Sequence, residues 1–197
     1  MDYDYSFKVG LIGSSSVGKS CLNYRYYLDK FPTATQLLYE TRALNVGTRT
    51  INIGTSRCQL TIYDWENSLT NYSKYHKLST QGQIFIYDIT DANSFETLKP
   101  TITRIRKYQE ASGNDLPYLL LVGNKCDLDS KRAVSCEEAR QYAASMKTDH
   151  YETSAQLSVN VEEIFAHLAT EILDKIFRIR QELGLPLDGK QLNQTNE

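Results

Sequence analysis

The sequence has few cysteines, little net charge and no long apolar run. None of its four cysteines belongs to a C-x-x-C pair or to a spacing typical of metal ligands, so we expect reduced cytosolic thiols. The net charge of −2 at pH 7 gives no basis for nucleic-acid binding. No stretch approaches the roughly 18 apolar residues of a membrane-spanning helix, and the acidic N-terminus does not resemble a signal peptide. These features favour a cytoplasmic protein. The cysteines are Cys21, Cys58, Cys126 and Cys136.

Apolar strand-like segments alternate with helical patterns along the 197 residues. This alternation predicts an α/β fold with a mostly parallel sheet and helices on both of its faces. The length fits one domain, for which we expect residues 1–184, followed by a polar tail over 185–197. The predicted strands are 6–12, 42–54, 57–64, 83–89, 117–123 and 149–152. The predicted helices are 19–29, 68–79, 94–111, 136–146 and 161–183.

Local signals fix some of the expected boundaries. Strands 42–54 and 57–64 are so close in sequence that they predict a hairpin, and therefore one antiparallel edge strand. Ser135, with a glutamate three residues later, predicts a capping box at the start of helix 136–146. Asn160 predicts a similar cap for the last helix, and Gly184 predicts its end.

The segment Gly13–Ser20 matches the pattern G-x-x-x-x-G-K-[ST], and it lies between a predicted strand and a predicted helix. In that setting the backbone N–H groups at the helix start bind nucleotide phosphates. Lys19 would add a positive charge for the β- and γ-phosphates, and the Ser20 hydroxyl would ligate Mg²⁺. A Ser/Gly-rich turn that matches by chance is the alternative. The candidate phosphate-binding residues are Ser15, Ser16, Val17, Gly18, Lys19, Ser20 and Cys21.

A second motif, Asn124-Lys125-Cys126-Asp127, directly follows the predicted strand 117–123. Ligands of doubly wound sheets bind outside the carboxyl ends of strands, where this motif is expected. The Asp127 carboxylate can accept hydrogen bonds from N1 and the 2-amino group of guanine, whereas adenine would leave it unpaired. We expect Asn124 to tie this loop to the phosphate loop and the Lys125 stem to lie over the purine. In isolation, N-K-x-D is also typical of a polar turn.

The segment Glu152-Thr153-Ser154-Ala155 follows the last predicted strand. A backbone N–H in this segment could donate a hydrogen bond to guanine O6, which adenine replaces with an amine. Ser154, Ala155 and the following Gln156 are therefore candidate base-binding residues, although a loop without this role is the simpler interpretation.

Taken in order and spacing, these motifs resemble those of the small GTPases of the Ras superfamily, and most closely the Rab branch. The resemblance covers about residues 5–184 and includes Asp64 and the run Tyr87-Asp88-Ile89-Thr90-Asp91. It implies a three-layer P-loop NTPase G domain with a six-stranded, mostly parallel sheet. It also implies GTP and GDP as nucleotides, Mg²⁺ as cofactor, and effector, exchange-factor and GTPase-activating proteins of membrane traffic as partners.

Further roles follow from the resemblance alone. Phe31 matches an aromatic residue stacked on the guanine, although a core phenylalanine at a helix end is an alternative. Ser20, Thr41 and Asp64 match the Mg²⁺ ligands, with Asp64 acting through a water molecule; oxygen ligands suit this ion. The segment before Thr41 is longer than is usual in the family. The competing threonines are Thr33, Thr35 and Thr48.

The chain departs from the family in the parts that hydrolyse GTP and report its presence. Asn67 replaces the glycine that senses the γ-phosphate, and Ser68 replaces the glutamine that orients the attacking water, so this catalytic position is impaired. Trp65 places a large ring where a small residue is usual. Ser16 replaces a common glycine of the phosphate loop, and Gln156 replaces a lysine.

These departures predict intact guanine-nucleotide binding with slow intrinsic GTP hydrolysis. Glu66 or Gln36 could substitute for the missing glutamine, which would restore the rate. A scaffold that binds nucleotide without changing shape is the second hypothesis.

The sequence lacks the lipid-attachment signals by which members of the family bind membranes. Rab relatives usually end in prenylated cysteines, and no cysteine follows Cys136; Asp2 also excludes N-myristoylation. We therefore expect peripheral association with endomembranes only through partners or through a lipidated tail that this sequence lacks.

Overall fold

The computed structural model describes residues 3–33, 35–36, 46–64, 80–113 and 117–186. The predicted helix 68–79, the first four residues of predicted strand 42–54 and most of the predicted tail lie outside these residues.

The described part of the chain forms one six-stranded sheet in the order β2-β3-β1-β4-β5-β6. The β2–β3 pair is antiparallel and the other four pairs are parallel, which confirms the predicted sheet with its antiparallel edge strand. Because β1 has β3 on one side and β4 on the other, the loop after β1 leaves the sheet near its middle. The strands are β1 (Tyr5–Ile12), β2 (Val46–Ile53), β3 (Ser56–Asp64), β4 (Gly82–Asp88), β5 (Tyr118–Asn124) and β6 (Asp149–Thr153).

Helices cover both faces of the sheet. Alternate side chains of a strand point to opposite faces, and all seven residues of β4 are buried, so this strand packs against both layers. Ile84 and Ile86 join a core cluster with the first and last helices, whereas Phe85 and Tyr87 join a second cluster with the intervening helices. The helices are α1 (Lys19–Leu28), α2 (Ala92–Glu96), α3 (Lys99–Ser112), the 3₁₀-helix Cys126–Lys131, α4 (Cys136–Ser145) and α5 (Val161–Glu182).

The single helix predicted over 94–111 is wrong, because the chain forms α2 and α3 with a break at Thr97 and Leu98. Pro100 explains the break. In a continuous helix it would remove an interior hydrogen bond and clash with the preceding turn, but in the first turn of α3 its missing N–H costs nothing. The Thr97 hydroxyl closes the end of α2 by donating to the Ser94 carbonyl at 3.0 Å.

The two predicted helix caps have different outcomes. The Ser135 hydroxyl accepts a hydrogen bond from the Glu138 N–H at 3.1 Å, which confirms the cap of α4. The predicted Asn160 cap is wrong: its backbone is left-handed, with φ 55°, and its side chain donates to the Glu152 carbonyl at 2.7 Å. The α5 helix ends at Glu182, and Gly184 follows with φ 65°, as predicted.

None of the helices in the described part of the chain combines the length and the apolarity that crossing a bilayer requires.

Removal of the Ser135 cap should destabilise the protein without changing its fold. We expect Ser135→Ala to lower the free energy of unfolding by about 1 kcal/mol, because the Glu138 N–H loses its acceptor. Urea denaturation followed by circular dichroism measures the change. Ser130→Ala, at an exposed position of the 3₁₀-helix, is the control. Equal midpoints for the two variants would contradict the assigned cap.

Candidate nucleotide-binding site

The predicted motifs meet at one edge of the sheet. β1, β3, β4, β5 and β6 run parallel, so the residues at or directly after their ends lie on the same side of the fold. Such an edge is where open α/β sheets bind ligands. The residues concerned are the loop 13–18, Asp64, Asp88, Asn124 and Thr153.

Close backbone packing explains both glycines of the phosphate loop. A Cβ on Gly13 would lie 2.3 Å from the Ile86 carbonyl oxygen, and a Cβ on Gly18 would lie 2.2 Å from the Asn124 side-chain nitrogen. Gly18 also has φ 96° and provides no side-chain cap for α1, so the first turn of this helix presents N–H groups to a ligand. Ser16 adopts φ 66°, a conformation that costs a residue with a Cβ about 1 kcal/mol or more.

The Lys19 side chain is held by the loop that it follows. Its Nζ donates to the carbonyl oxygens of Gly13 at 3.0 Å and Ser14 at 2.8 Å, and the residue is 8% exposed. Burial lowers the pKa of Lys19, and the nearby Asp64 carboxylate opposes that effect. Bound phosphates would oppose it further, because negative charge favours the protonated amine.

Asn124 connects three segments of the site. Its Nδ2 donates to the Val17 carbonyl at 2.9 Å, and its Oδ1 accepts from the Thr153 hydroxyl at 3.2 Å and from the Ala155 N–H at 3.4 Å. The residue is 1% exposed. The expected tie between the loop at 124–127 and the phosphate loop is therefore present, and the same side chain also holds the end of β6.

Lys125 makes a second connection to the phosphate loop. Its Nζ donates to the Ser16 carbonyl at 2.9 Å and forms an ion pair with Asp88 at 2.6 Å. Burial alone would raise the pKa of Asp88, but the Lys125 amine and the Thr90 N–H and hydroxyl outweigh it and lower that pKa. Lys125 also lines the adjacent pocket.

A pocket of about 120 Å³ lies beside the phosphate loop. It brings together eight of the predicted nucleotide-binding residues, and Leu128 is an addition that the motif analysis missed. Leu128 directly follows Asp127 in the 3₁₀-helix, so its position immediately after the motif was the available signal. The pocket is lined by Gly18, Cys21, Phe31, Asn124, Lys125, Asp127, Leu128, Ala155 and Gln156.

The Asp127 carboxylate is oriented by a hydrogen bond from Ser154. Its Oδ1 accepts a hydrogen bond from the Ser154 hydroxyl at 2.6 Å, and Ser154 itself is fully buried. The Ser154 hydroxyl in turn accepts from the Leu157 N–H at 2.9 Å. Ser154 therefore contributes its side-chain hydroxyl to the site.

Contacts of two arginines near the pocket were not predicted from the sequence. Arg132 forms a bidentate ion pair with Glu152, with distances of 2.6 and 2.9 Å, and so holds the 3₁₀-helix against β6. Arg25 of α1 donates to the backbone carbonyls of Ala155 and Gln156. The partners of these arginines are distant in sequence and follow no fixed spacing, so the sequence alone does not predict these contacts.

The residues present fit a bound Mg²⁺ ion. Ser20 lies in the first turn of α1, and Asp64 ends β3 in register with Leu11, beside the phosphate loop. A hydroxyl and a buried carboxylate are oxygen donors of the kind that Mg²⁺ prefers, and phosphate oxygens supply the rest. The described residues contain no cluster of three or more His, Cys, Asp or Glu that could hold a metal by itself.

The remaining predicted residues are only partly described. Thr41, Asn67 and Ser68 lie outside the described residues. Among the competitors of Thr41, Thr48 lies within β2 opposite Thr61, and Thr33 is engaged with Gln36 in a local turn. Phe31 lines the pocket and is 38% exposed, so it is not a core residue.

Comparison with known proteins agrees with this geometry. The model of the Ras family matches residues 8–174. Ras-related protein Rab-13 of Rattus norvegicus is 38% identical over 176 residues, which cover 88% of this chain and 83% of that protein. Rab-8B of Homo sapiens is 37% identical over 179 residues (89% and 83%), and Rab-3 of Caenorhabditis elegans is 35% identical over 178 residues (89% and 78%).

A nucleotide-binding α/β protein with a phosphate loop is the class that this fold and site define. The chain belongs to the Ras family, and within it the chain is a Rab-like small GTPase.

The ion pair between Asp88 and Lys125 should make stability depend on pH. Because the folded state lowers the Asp88 pKa, this contribution is complete above the ordinary value of 3.8 and is lost as the pH falls through the lowered value. We expect Asp88→Asn to destabilise the nucleotide-free protein by roughly 1–3 kcal/mol at pH 7, and by progressively less below pH about 4.

Urea denaturation of both proteins between pH 3 and 7 measures this difference. Asp174→Asn, at an exposed position on α5, is the control for a general change in charge. A difference between wild type and Asp88→Asn that does not change with pH would contradict the ion pair.

Proposed function

We propose that this chain binds guanosine di- and triphosphates with Mg²⁺ and hydrolyses GTP slowly, as a divergent Rab-like switch. The proposal rests mainly on one contact, the 2.6 Å hydrogen bond from the Ser154 hydroxyl to the Asp127 carboxylate. That bond fixes a carboxylate at the base pocket, next to a phosphate loop that is already held in place by Lys19 and Asn124.

Guanine selection follows from the chemistry of Asp127. Its carboxylate is an acceptor only, and guanine offers two N–H donors on the edge that it would face. Adenine offers none there, so binding adenine would desolvate the carboxylate with the Ser154 hydroxyl as its remaining donor, a cost larger than for a neutral group. We propose that the Ala155–Gln156 backbone adds a donor for the 6-oxygen of the base.

The phosphates would lie on the first turn of α1. Its free N–H groups and the Lys19 amine supply positive potential, and Ser20 with Asp64 would hold Mg²⁺. When it is bound, Mg²⁺ neutralises charge on the β- and γ-phosphates. Hydrogen bonds from Lys19, Asn124 and Lys125 hold the backbone of the phosphate loop, and such fixed geometry would lower the ordering cost of binding.

Slow hydrolysis is inferred from the sequence between β3 and β4. Ser68 is too short to orient a water molecule from the position where the family has glutamine, and positioning supplies much of phosphoryl-transfer catalysis. Gln36 is a poor substitute in the structure. Its side-chain oxygen accepts from the Thr33 N–H at 2.9 Å, and its own N–H donates to the Thr33 hydroxyl at 3.3 Å.

The cellular role is proposed by analogy with the Rab relatives. We propose that effectors, exchange factors and GTPase-activating proteins contact a G domain spanning residues 1–184. We also propose that the protein works in vesicle-mediated transport, as a cytoplasmic protein that reaches endomembranes through partners or a lipidated tail.

Replacement of Asp127 should abolish base selectivity. We expect Asp127→Ala to weaken GDP binding about 100-fold or more and to leave ADP binding nearly unchanged, because only guanine donates to this carboxylate. Isothermal titration calorimetry measures both affinities. Asp129→Ala, in the same 3₁₀-helix but with a side chain that is 75% exposed, is the matched control. Unchanged selectivity in Asp127→Ala, or no binding of GDP by the wild type, would refute the proposed function.

Restoring glutamine should accelerate hydrolysis. We expect Ser68→Gln to raise the single-turnover rate of Mg²⁺·GTP hydrolysis about tenfold or more over a slow wild type. Gln36→Ala should leave the wild-type rate unchanged. A wild-type rate equal to that of Rab-8B would contradict the proposal. The scaffold hypothesis would be favoured by two results together: no GTP hydrolysis, and the same protease sensitivity around residues 33–48 and 64–80 with GDP and with GTP.

A further inference from the structure

Arg25 of α1 spans the gap between the phosphate-binding helix and the loop at the base pocket. Its Nε donates to the Ala155 carbonyl at 2.9 Å, and its Nη2 donates to the Gln156 carbonyl at 2.9 Å. Its Nη1 donates to the Asp29 carbonyl, also at 2.9 Å, at the end of the same helix. The side chain is 13% exposed. Three carbonyls are thus held by one planar group whose donors have fixed relative directions.

The charge of Arg25 is not the main reason for this arrangement. The available carboxylate, that of Asp29, is 3.8 Å away and its side chain is 92% exposed, and such surface pairs contribute little. The two carbonyls of the loop are 130 and 131 residues away in sequence, and both belong to residues that line the pocket. The donor geometry therefore matters more than the charge.

Holding these carbonyls also fixes the direction of backbone N–H groups. The Ala155 carbonyl and the Gln156 N–H belong to the same planar peptide unit and point in opposite directions when that unit is trans. With the carbonyl directed at Arg25, the Gln156 N–H points away from α1. The next peptide unit is held at both ends, because the Gln156 carbonyl accepts from Arg25 and the Leu157 N–H donates to the Ser154 hydroxyl.

The geometry points to Arg25 as a positioning residue for base specificity. It orients the 155–156 backbone so that an N–H of this loop recognises the 6-oxygen of a purine, while Asp127 recognises the 2-amino group. This role rests on the proposed guanine binding. Because α1 also begins at the phosphate loop, with Cys21 one turn before Arg25 in the pocket wall, the arginine links base recognition to the element that binds phosphate.

Nucleotide analogues separate the two contacts to the base. In 6-thio-GDP a sulfur, which is a weak acceptor, replaces the 6-oxygen, and IDP lacks the 2-amino group. The ratio of dissociation constants for 6-thio-GDP and GDP measures recognition at position 6, and the ratio for IDP and GDP measures recognition at position 2. Competition with a fluorescent GDP analogue gives all three constants.

The test variant is Arg25→Met, which keeps an unbranched apolar stem and removes every donor. We expect GDP binding to weaken about tenfold, the 6-thio-GDP penalty to shrink about threefold or more, and the IDP penalty to remain unchanged. Arg140→Met, on α4 with a side chain that is 67% exposed, should match the wild type in all three. Arg25→Lys keeps the positive charge but lacks the planar guanidinium with its fixed donors. It should therefore also lose most of the recognition at position 6. This variant replaces Arg25→Met in the test if Arg25→Met does not fold.

The outcomes distinguish this inference from the proposed function. A wild type that does not prefer GDP over ADP overturns the proposed function and the role of Arg25 with it. A wild type that prefers GDP, combined with an unchanged 6-thio-GDP penalty in the Arg25 variants, overturns the role of Arg25 alone. Equal loss of both penalties would mean that Arg25 supports the whole pocket without positioning the loop, and would also overturn it.

Discussion

The site depends on one buried amide, that of Asn124. A side-chain amide that is 1% exposed must find partners, because an unpaired buried polar group costs about 1–3 kcal/mol. Here the partners are the Val17 carbonyl, the Thr153 hydroxyl and the Ala155 N–H, which belong to the phosphate loop, the end of β6 and the loop that follows it. Three segments far apart in sequence, those of Val17, of Asn124 itself and of residues 153–155, are thereby joined. The same contact requires glycine at position 18, where a Cβ would collide with the amide.

The two lysines of the site are both held by the phosphate loop. Lys19 and Lys125 donate hydrogen bonds to backbone carbonyls of that loop. The two lysines differ in their acidic neighbours: Lys125 is paired directly with Asp88, whereas Asp64 acts on Lys19 through its charge. The Lys125 amine therefore has a carboxylate partner at 2.6 Å, whereas the Lys19 amine donates hydrogen bonds to two backbone carbonyls.

Much of this fold follows from local sequence, because parallel buried strands require apolar runs and a phosphate loop requires glycine at set positions. The strands and the Ser135 cap are of this kind. Asn160 shows the limit. It has the residue type and spacing of a cap, but its side chain donates to the nearby Glu152 carbonyl and its backbone is left-handed. Arg25 and Arg132 act across more distant parts of the chain, so their partners depend on tertiary packing that no local pattern encodes.

The motifs that this chain shares with the family and the catalytic positions where it differs from the family lie in different segments of the chain. The proposed sites for the base and the phosphates lie at the ends of β1, β5 and β6, which Asn124 and Arg25 join into one hydrogen-bonded network. Any change there would disturb several contacts at once. The glycine and glutamine of the family motif correspond to Asn67 and Ser68, which follow β3 in the sequence and lie outside the described residues. The contacts described for the pocket join the segments around Val17, Asn124 and Ala155, which are distant in sequence from Asn67 and Ser68. This separation is the physical reason why we propose that nucleotide binding and GTP hydrolysis are separable in this chain.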